Sequence, residues 1–115
     1  MKTRQYLLPI LIISALALSG LGCAVLLTGT DATGSGLVVN RLVRDGRILQ
    51  TYNWPRFPGV YHGSGCTLAA ACAARLALGE ALADAVQRAQ SYTWQTLGAG
   101  DAPGHGQRLP RRINP

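Results

Sequence analysis

Residues 62–79 read HGSGCTLAAACAARLALG, and this stretch decides how the chain is organised. Gly63 and Gly65 bracket Ser64. Lacking a Cβ, both can take backbone angles that other residues avoid, and a ligand can come close. From Thr67 to Leu78 the residues are good helix formers. Gly79 stands where a left-handed C-terminal cap is expected. The pattern is a glycine loop feeding a helix N-terminus, where main-chain N–H groups without partners meet the positive end of the helix dipole. Such a place suits an anion, above all phosphate. The plainer reading of the same spacing is a tight turn with a packing glycine. Cys66 sharpens the first reading, because the dipole favours its thiolate. A thiolate there could take a proton from a substrate hydroxyl beside a bound phosphate. Its alternative is a small buried apolar residue. Thr67 either caps the helix or reaches a phosphate oxygen, and His62 could contact phosphate or orient Cys66.

Working outward, Ala81–Leu97 forms a second helix. Leu82, Val86, Ala89, Tyr92 or Thr93, and Leu97 recur on one face, and Asp84–Arg88 is an i,i+4 pair. Gly98 to Pro115 is loop-like. On the other side, Leu37–Val43 and Ile48–Trp54 flank Asp45-Gly46, the signature of a β-hairpin. Pro55 and Pro58 then end the strand. Tyr52, Trp54, Phe57 and Tyr61 either line an adenine slot or pack a loop. Thr28–Gly36 (TGTDATGSG) is a turn-rich connection.

The N-terminal end supports two readings. Lys2 and Arg4 precede an uncharged apolar run, Tyr6–Leu27, which has the form of an export signal. Cys23 after Gly22 even suggests lipoprotein cleavage. Yet Gly20, three residues before Cys23, is not the large aliphatic residue such sites want. Pro9, Gly20 and Gly22 also interrupt a spanning helix. The preferred reading is a helix over Leu7–Leu18, stopped by Gly20-Leu21-Gly22. A buried strand over Cys23–Thr28 follows, its continuous apolar run marking a parallel strand.

Bulk properties narrow the class. A chain of 115 residues, 48% hydrophobic, suffices for one small globular domain. Eleven Lys+Arg against five Asp+Glu give a net charge of +6. The arginines form no stripe with interleaved aromatics, so nucleic acid is not the expected partner, whereas an anionic nucleotide is. Cys23, Cys66 and Cys72 are an odd set without C-x-x-C spacing, which argues against a disulfide framework or a zinc site and for reduced cytoplasmic thiols.

The stretch His62–Ala89, HGSGCTLAAACAARLALGEALADAVQRA, resembles the C-terminal part of hydroxymethylpyrimidine/phosphomethylpyrimidine kinases of the ribokinase-like superfamily. Gly63, Ser64, Gly65, Cys66, Thr67 and Leu68 match that family's glycine–cysteine segment. Gly104-His105-Gly106 is similar to its glycine-rich tail. The likeness runs from about Leu16 to the end, leaving residues 1–15 unmatched. Cys66, where most of the superfamily has Asp, points to the pyrimidine branch.

The resemblance implies an α/β fold, an incomplete ribokinase-like three-layer sandwich with a hairpin and two C-terminal helices, as a single partial domain. It implies ATP-dependent phosphorylation of hydroxymethylpyrimidine and its monophosphate in thiamine biosynthesis, with ATP and Mg2+ as cofactors. Cys66 would be catalytic, Gly63, Ser64 and Gly65 the anion hole, and Thr28, Gly29 and Thr67 nucleotide contacts. Many relatives carry Lys where Thr28 stands. No metal ligands are expected from the chain, and no membrane partner. Complete members are much longer than this chain. The resemblance therefore implies a truncated or fragmentary form, weakly active alone, that pairs with a second copy or a missing N-terminal half. The competing functions are an exported or membrane-anchored small protein without catalysis, and a kinase of the same superfamily acting on pyridoxal or a sugar.

Overall fold

The computed structural model describes residues 23–29 and 36–114. The expected helix over Leu7–Leu18 and the signal-like segment lie outside the described residues. The chain divides after Pro55 into two compact units, a sheet and a helical pair. Together they make a small α/β chain, with the expected hairpin and two C-terminal helices.

The first unit is a three-stranded antiparallel sheet, β1 (Ala24–Leu27), β2 (Leu37–Arg44) and β3 (Arg47–Pro55), in that spatial order. The hairpin turn forms at Asp45-Gly46 as the dipeptide predicts. Both residues have positive φ, 52° and 73°, the twist that a two-residue hairpin requires. Register pairs Asn40 with Tyr52 and Leu42 with Gln50, then slips so that Val43 meets Ile48. The slip leaves Leu49 as an extra residue on β3, a bulge. Leu42 and Tyr52 are buried, whereas Ile48 and Leu49 are exposed.

One expectation is corrected here. The strand at Ala24–Leu27 is antiparallel to β2 and only half-buried, not a buried parallel strand. The reason is chain length. Only residues 28–36 separate it from β2, and a parallel crossover needs about a dozen residues or more. Asn40 is buried, and its Oδ1 accepts the Gly29 N–H at 2.9 Å, tying the end of β1 to β2.

The second unit holds α1 (Ser64–Ala77) and α2 (Leu82–Gly98). Four residues join them, a connection short enough to make them packed neighbours. Helix α1 starts three residues earlier than its composition predicts, so Ser64, Gly65 and Cys66 form its first turn. Only Gly63 therefore uses the left-handed region, with φ 92°; Gly65 does not.

On α2 the buried face is Ala85, Val86, Ala89, Gln90, Thr93 and Thr96, rotated from the predicted stripe toward smaller side chains. Burying these polar groups costs little, because each bonds its own helix backbone. Thr93 Oγ1 donates to Ala89 O (2.8 Å), Thr96 Oγ1 to Thr93 O (2.6 Å) and Gln90 Nε2 to Val86 O (3.2 Å). Arg88, expected to pair with Asp84, lies 3.6 Å from Glu80 Oε1 instead.

The segment after α2 is pinned rather than loose. Asp101 and Leu109 exchange two main-chain bonds of 2.9 Å, and Arg108 bridges to Tyr61. Arg108 donates to Val60 O (2.7 Å) and accepts from His62 N–H (3.0 Å), while Arg111 N–H reaches Thr96 O (2.9 Å). The tail thus returns alongside the residues that lead into α1.

Candidate active site at the start of helix α1

The first intrahelical bond of α1 runs from Thr67 N–H to Gly63 O, 3.0 Å. The N–H groups of Gly63, Ser64, Gly65 and Cys66 precede it and have no acceptor in the helix. No side chain caps them either. Ser, Thr, Asp or Asn is the usual residue at such a position; Gly63 stands there in the left-handed conformation. The four predicted anion-hole and catalytic positions are consequently one continuous turn. Cys66 in that turn is exposed.

Cys72, on the same helix, is half-buried, and burial pushes its thiol up from the ordinary range. The two sulfurs of α1 thus occupy different environments, one open to reagents at the helix start and one desolvated within it.

Thr67 is buried and does not cap. Its hydroxyl donates to Gly63 O at 2.8 Å and accepts from Arg112 Nε at 2.9 Å. Position explains this: Thr67 lies four residues beyond the N-cap, where a hydroxyl bonds back to the preceding turn. Arg112 also packs on Gly63. A Cβ built there would sit 2.7 Å from Arg112 Nη2. The Arg112 carbonyl accepts from Tyr92 OH at 2.5 Å, which fixes the tail to α2. From Cys66 and Arg112 an apolar cleft of about 640 Å³ runs along α1 past Ala70 and Ala74 to Leu78.

Thr28 is half-buried at the end of β1, and the adjacent Gly29 N–H is committed to Asn40. His62 is bonded through its main chain to Arg108, and its side chain is exposed. Among the four aromatics, Tyr52 and Trp54 belong to the sheet unit. Phe57 stacks on Trp94 with ring centroids 4.9 Å apart, and Tyr61 packs against Gly100. Arg112 escaped sequence reasoning altogether. It lies 45 residues from Thr67, and the cluster Arg108/Arg111/Arg112 reads as solvated surface.

Residues 11–110 match the family model described as phosphomethylpyrimidine kinase. The chain belongs to the phosphomethylpyrimidine kinase family. The match begins five residues before Leu16, where the resemblance was expected to start, and takes in most of the apolar N-terminal run. It also covers the whole glycine–cysteine turn, both helices and Gly104-His105-Gly106, ending just short of Arg111 and Arg112. Membership makes the chain a kinase-type transferase at family level, with a small-molecule substrate and ATP as the family's partners. Among the described residues no helix is long and apolar enough to cross a membrane.

Proposed function

We propose that the chain carries the phosphate-holding and proton-accepting end of an ATP-dependent kinase acting on hydroxymethylpyrimidine and its monophosphate, in the cytoplasm, for thiamine biosynthesis. The observation behind this reading is the uncapped first turn of α1, with the exposed thiol of Cys66 within it.

The amides of Gly63, Ser64 and Gly65 face an oxyanion with donors that need no reorganisation. Phosphoryl transfer depends mainly on such positioning and charge stabilisation. Cys66 Sγ takes the proton of the hydroxymethyl group as its oxygen bonds the terminal phosphorus of ATP. The bond from that phosphorus to the bridging oxygen breaks, and ADP leaves. ATP supplies the phosphoryl group. The open amides and the guanidinium of Arg112 fit its phosphates chemically. Thr28 and Gly29 are proposed as further nucleotide contacts. Thr67 acts by holding Gly63 and Arg112, since both capacities of its hydroxyl seen here are used. Among the described residues no three His, Cys, Asp or Glu side chains gather. The magnesium that accompanies ATP is therefore assigned no protein ligand here, and no step passes through it. At the level of fold, we read the sheet and helices as part of a ribokinase-like three-layer sandwich, completed by a second copy or a further half.

The test is phosphoryl transfer by the chain from ATP to hydroxymethylpyrimidine and to its monophosphate, with Cys66→Ala alongside. General-base loss predicts a fall of about 10²- to 10⁴-fold in turnover, with ATP affinity retained. A Cys66→Ala variant with full turnover would remove the thiol from the reaction.

A further inference from the structure

Arg44 and Arg47 close the hairpin of the sheet unit on either side of Asp45-Gly46. They are direct cross-strand partners, so their side chains leave the same face with Cβ atoms about 5 Å apart. Like charges set directly opposite each other destabilise a strand pair. Among the described residues the ion pairs are made by Arg75, Arg88 and Arg111, and none reaches Arg44 or Arg47. The face they share is the one that carries Leu42, two residues before Arg44 and almost fully buried. Arg44 is half-buried, and its Nε is buried outright, yet that N–H makes no hydrogen bond. A buried donor on a cation is costly without an acceptor, and native structures leave few of them. Its two cross-strand neighbours cannot supply one. Ala24 offers only a methyl group, and Arg47 brings only further donors.

We propose that Arg44 and Arg47 together bind a tetrahedral oxyanion, a phosphate group, at the hairpin end of the sheet. One phosphate oxygen accepts from Arg44 Nε, and the others accept from the two guanidinium forks. A carboxylate fits less well, because one fork occupies both of its oxygens and leaves the second arginine unmet. Phosphate near pH 7 also carries about two negative charges, enough to offset both arginines. The site lies wholly in the sheet unit and uses no residue of the α1 turn, so it does not rest on the kinase reading.

Inorganic phosphate is the probe, titrated into the 15N-labelled full chain at low, constant ionic strength. The readout is the Arg44 Nε–H resonance, which phosphate should shift along a saturable curve. Arg47→Gln weakens the binding read there by about tenfold or more, as expected for loss of a charge-assisted bond. Arg44→Gln does the same, followed at the Gly46 amide. Arg56→Gln removes an exposed charge beyond the far end of β3 and changes the affinity less than about twofold, since exposed charges at that range are screened. Acetate at matched ionic strength binds more weakly than phosphate. Far-UV circular dichroism checks that each variant is folded. An Arg44 Nε–H signal that phosphate does not move, equal losses in Arg47→Gln and Arg56→Gln, or acetate binding as tightly as phosphate would each overturn the proposal. The kinase reading is judged separately, by Cys66→Ala on transfer, and neither result decides the other.

Discussion

The two ends of helix α1 both carry a left-handed glycine, and they use it for opposite purposes. At the C-terminus Gly79 has φ 83°, Gly79 N–H bonds Leu76 O (3.0 Å) and Glu80 N–H bonds Arg75 O (3.2 Å). These are the two bonds of a Schellman closure, and they satisfy carbonyls that the helix leaves over. Arg75 and Glu80 add an ion pair at 3.0 Å across the same turn. At the N-terminus Gly63 also has positive φ, yet it satisfies none of the four leftover N–H groups. One end is finished by the chain itself. The other is left open, with a thiol in the open turn and a guanidinium beside it. The N–H groups of the open end are left to solvent or to the anion proposed above.

The comparison breaks most visibly at Gly63. Alanine there must adopt φ near 92°, a region that costs an L-residue roughly 1–2 kcal/mol. Its Cβ would also press on Arg112 Nη2. The far end of that side chain can move, so the expected loss in stability is about 2 kcal/mol. The displaced guanidinium should then weaken phosphate binding as well. Chemical denaturation and a titration with inorganic phosphate measure the two effects on one sample. A Gly63→Ala protein of parental stability and affinity would mean that Gly63 is an ordinary turn residue.

How far the site could be read from the sequence follows from where its parts lie along the chain. The glycine–cysteine turn and the helix after it are contiguous, and local propensity names them. The hairpin follows from Asp45-Gly46 for the same reason. The direction of β1 was misjudged because an apolar run records burial, not strand direction; the nine-residue connection decides that. The register slip opposite Val43 leaves no mark in composition. Thr67 illustrates a finer failure. Its identity suits a cap, but the helix begins at Ser64, and three residues of offset turn a cap into an internal clamp. Arg112 was illegible because its meaning depends on the tail's return past Tyr61 and His62, a long-range pairing no local pattern encodes.

Gly79 supplies the control for Gly63. Nothing lies within 4 Å of a Cβ built on it. Gly79→Ala should therefore cost only the backbone term, about 1 kcal/mol, and leave phosphate affinity untouched. The gap between the Gly63 and Gly79 variants isolates what the contact with Arg112 adds. Equal losses of stability, with neither variant altering phosphate binding, would remove the asymmetry between the two ends.

The smallest effect belongs to Glu80, which supports the closed end through Arg75 at 3.0 Å and Arg88 at 3.6 Å. Partly exposed pairs of this kind contribute about 0.5 kcal/mol and weaken with salt. Glu80→Gln should lower stability by about that amount in dilute buffer, with the difference disappearing near 1 M salt, where the screening length is only about 3 Å. Its main-chain bond to Arg75 is unaffected by the substitution, so the Schellman turn persists. The salt series separates the charge from the backbone closure. A loss that survives high salt would show that the carboxylate does more than pair with two arginines. It would then be a structural part of the cap, and the closed end of α1 would depend on its side chains as well as on its main chain.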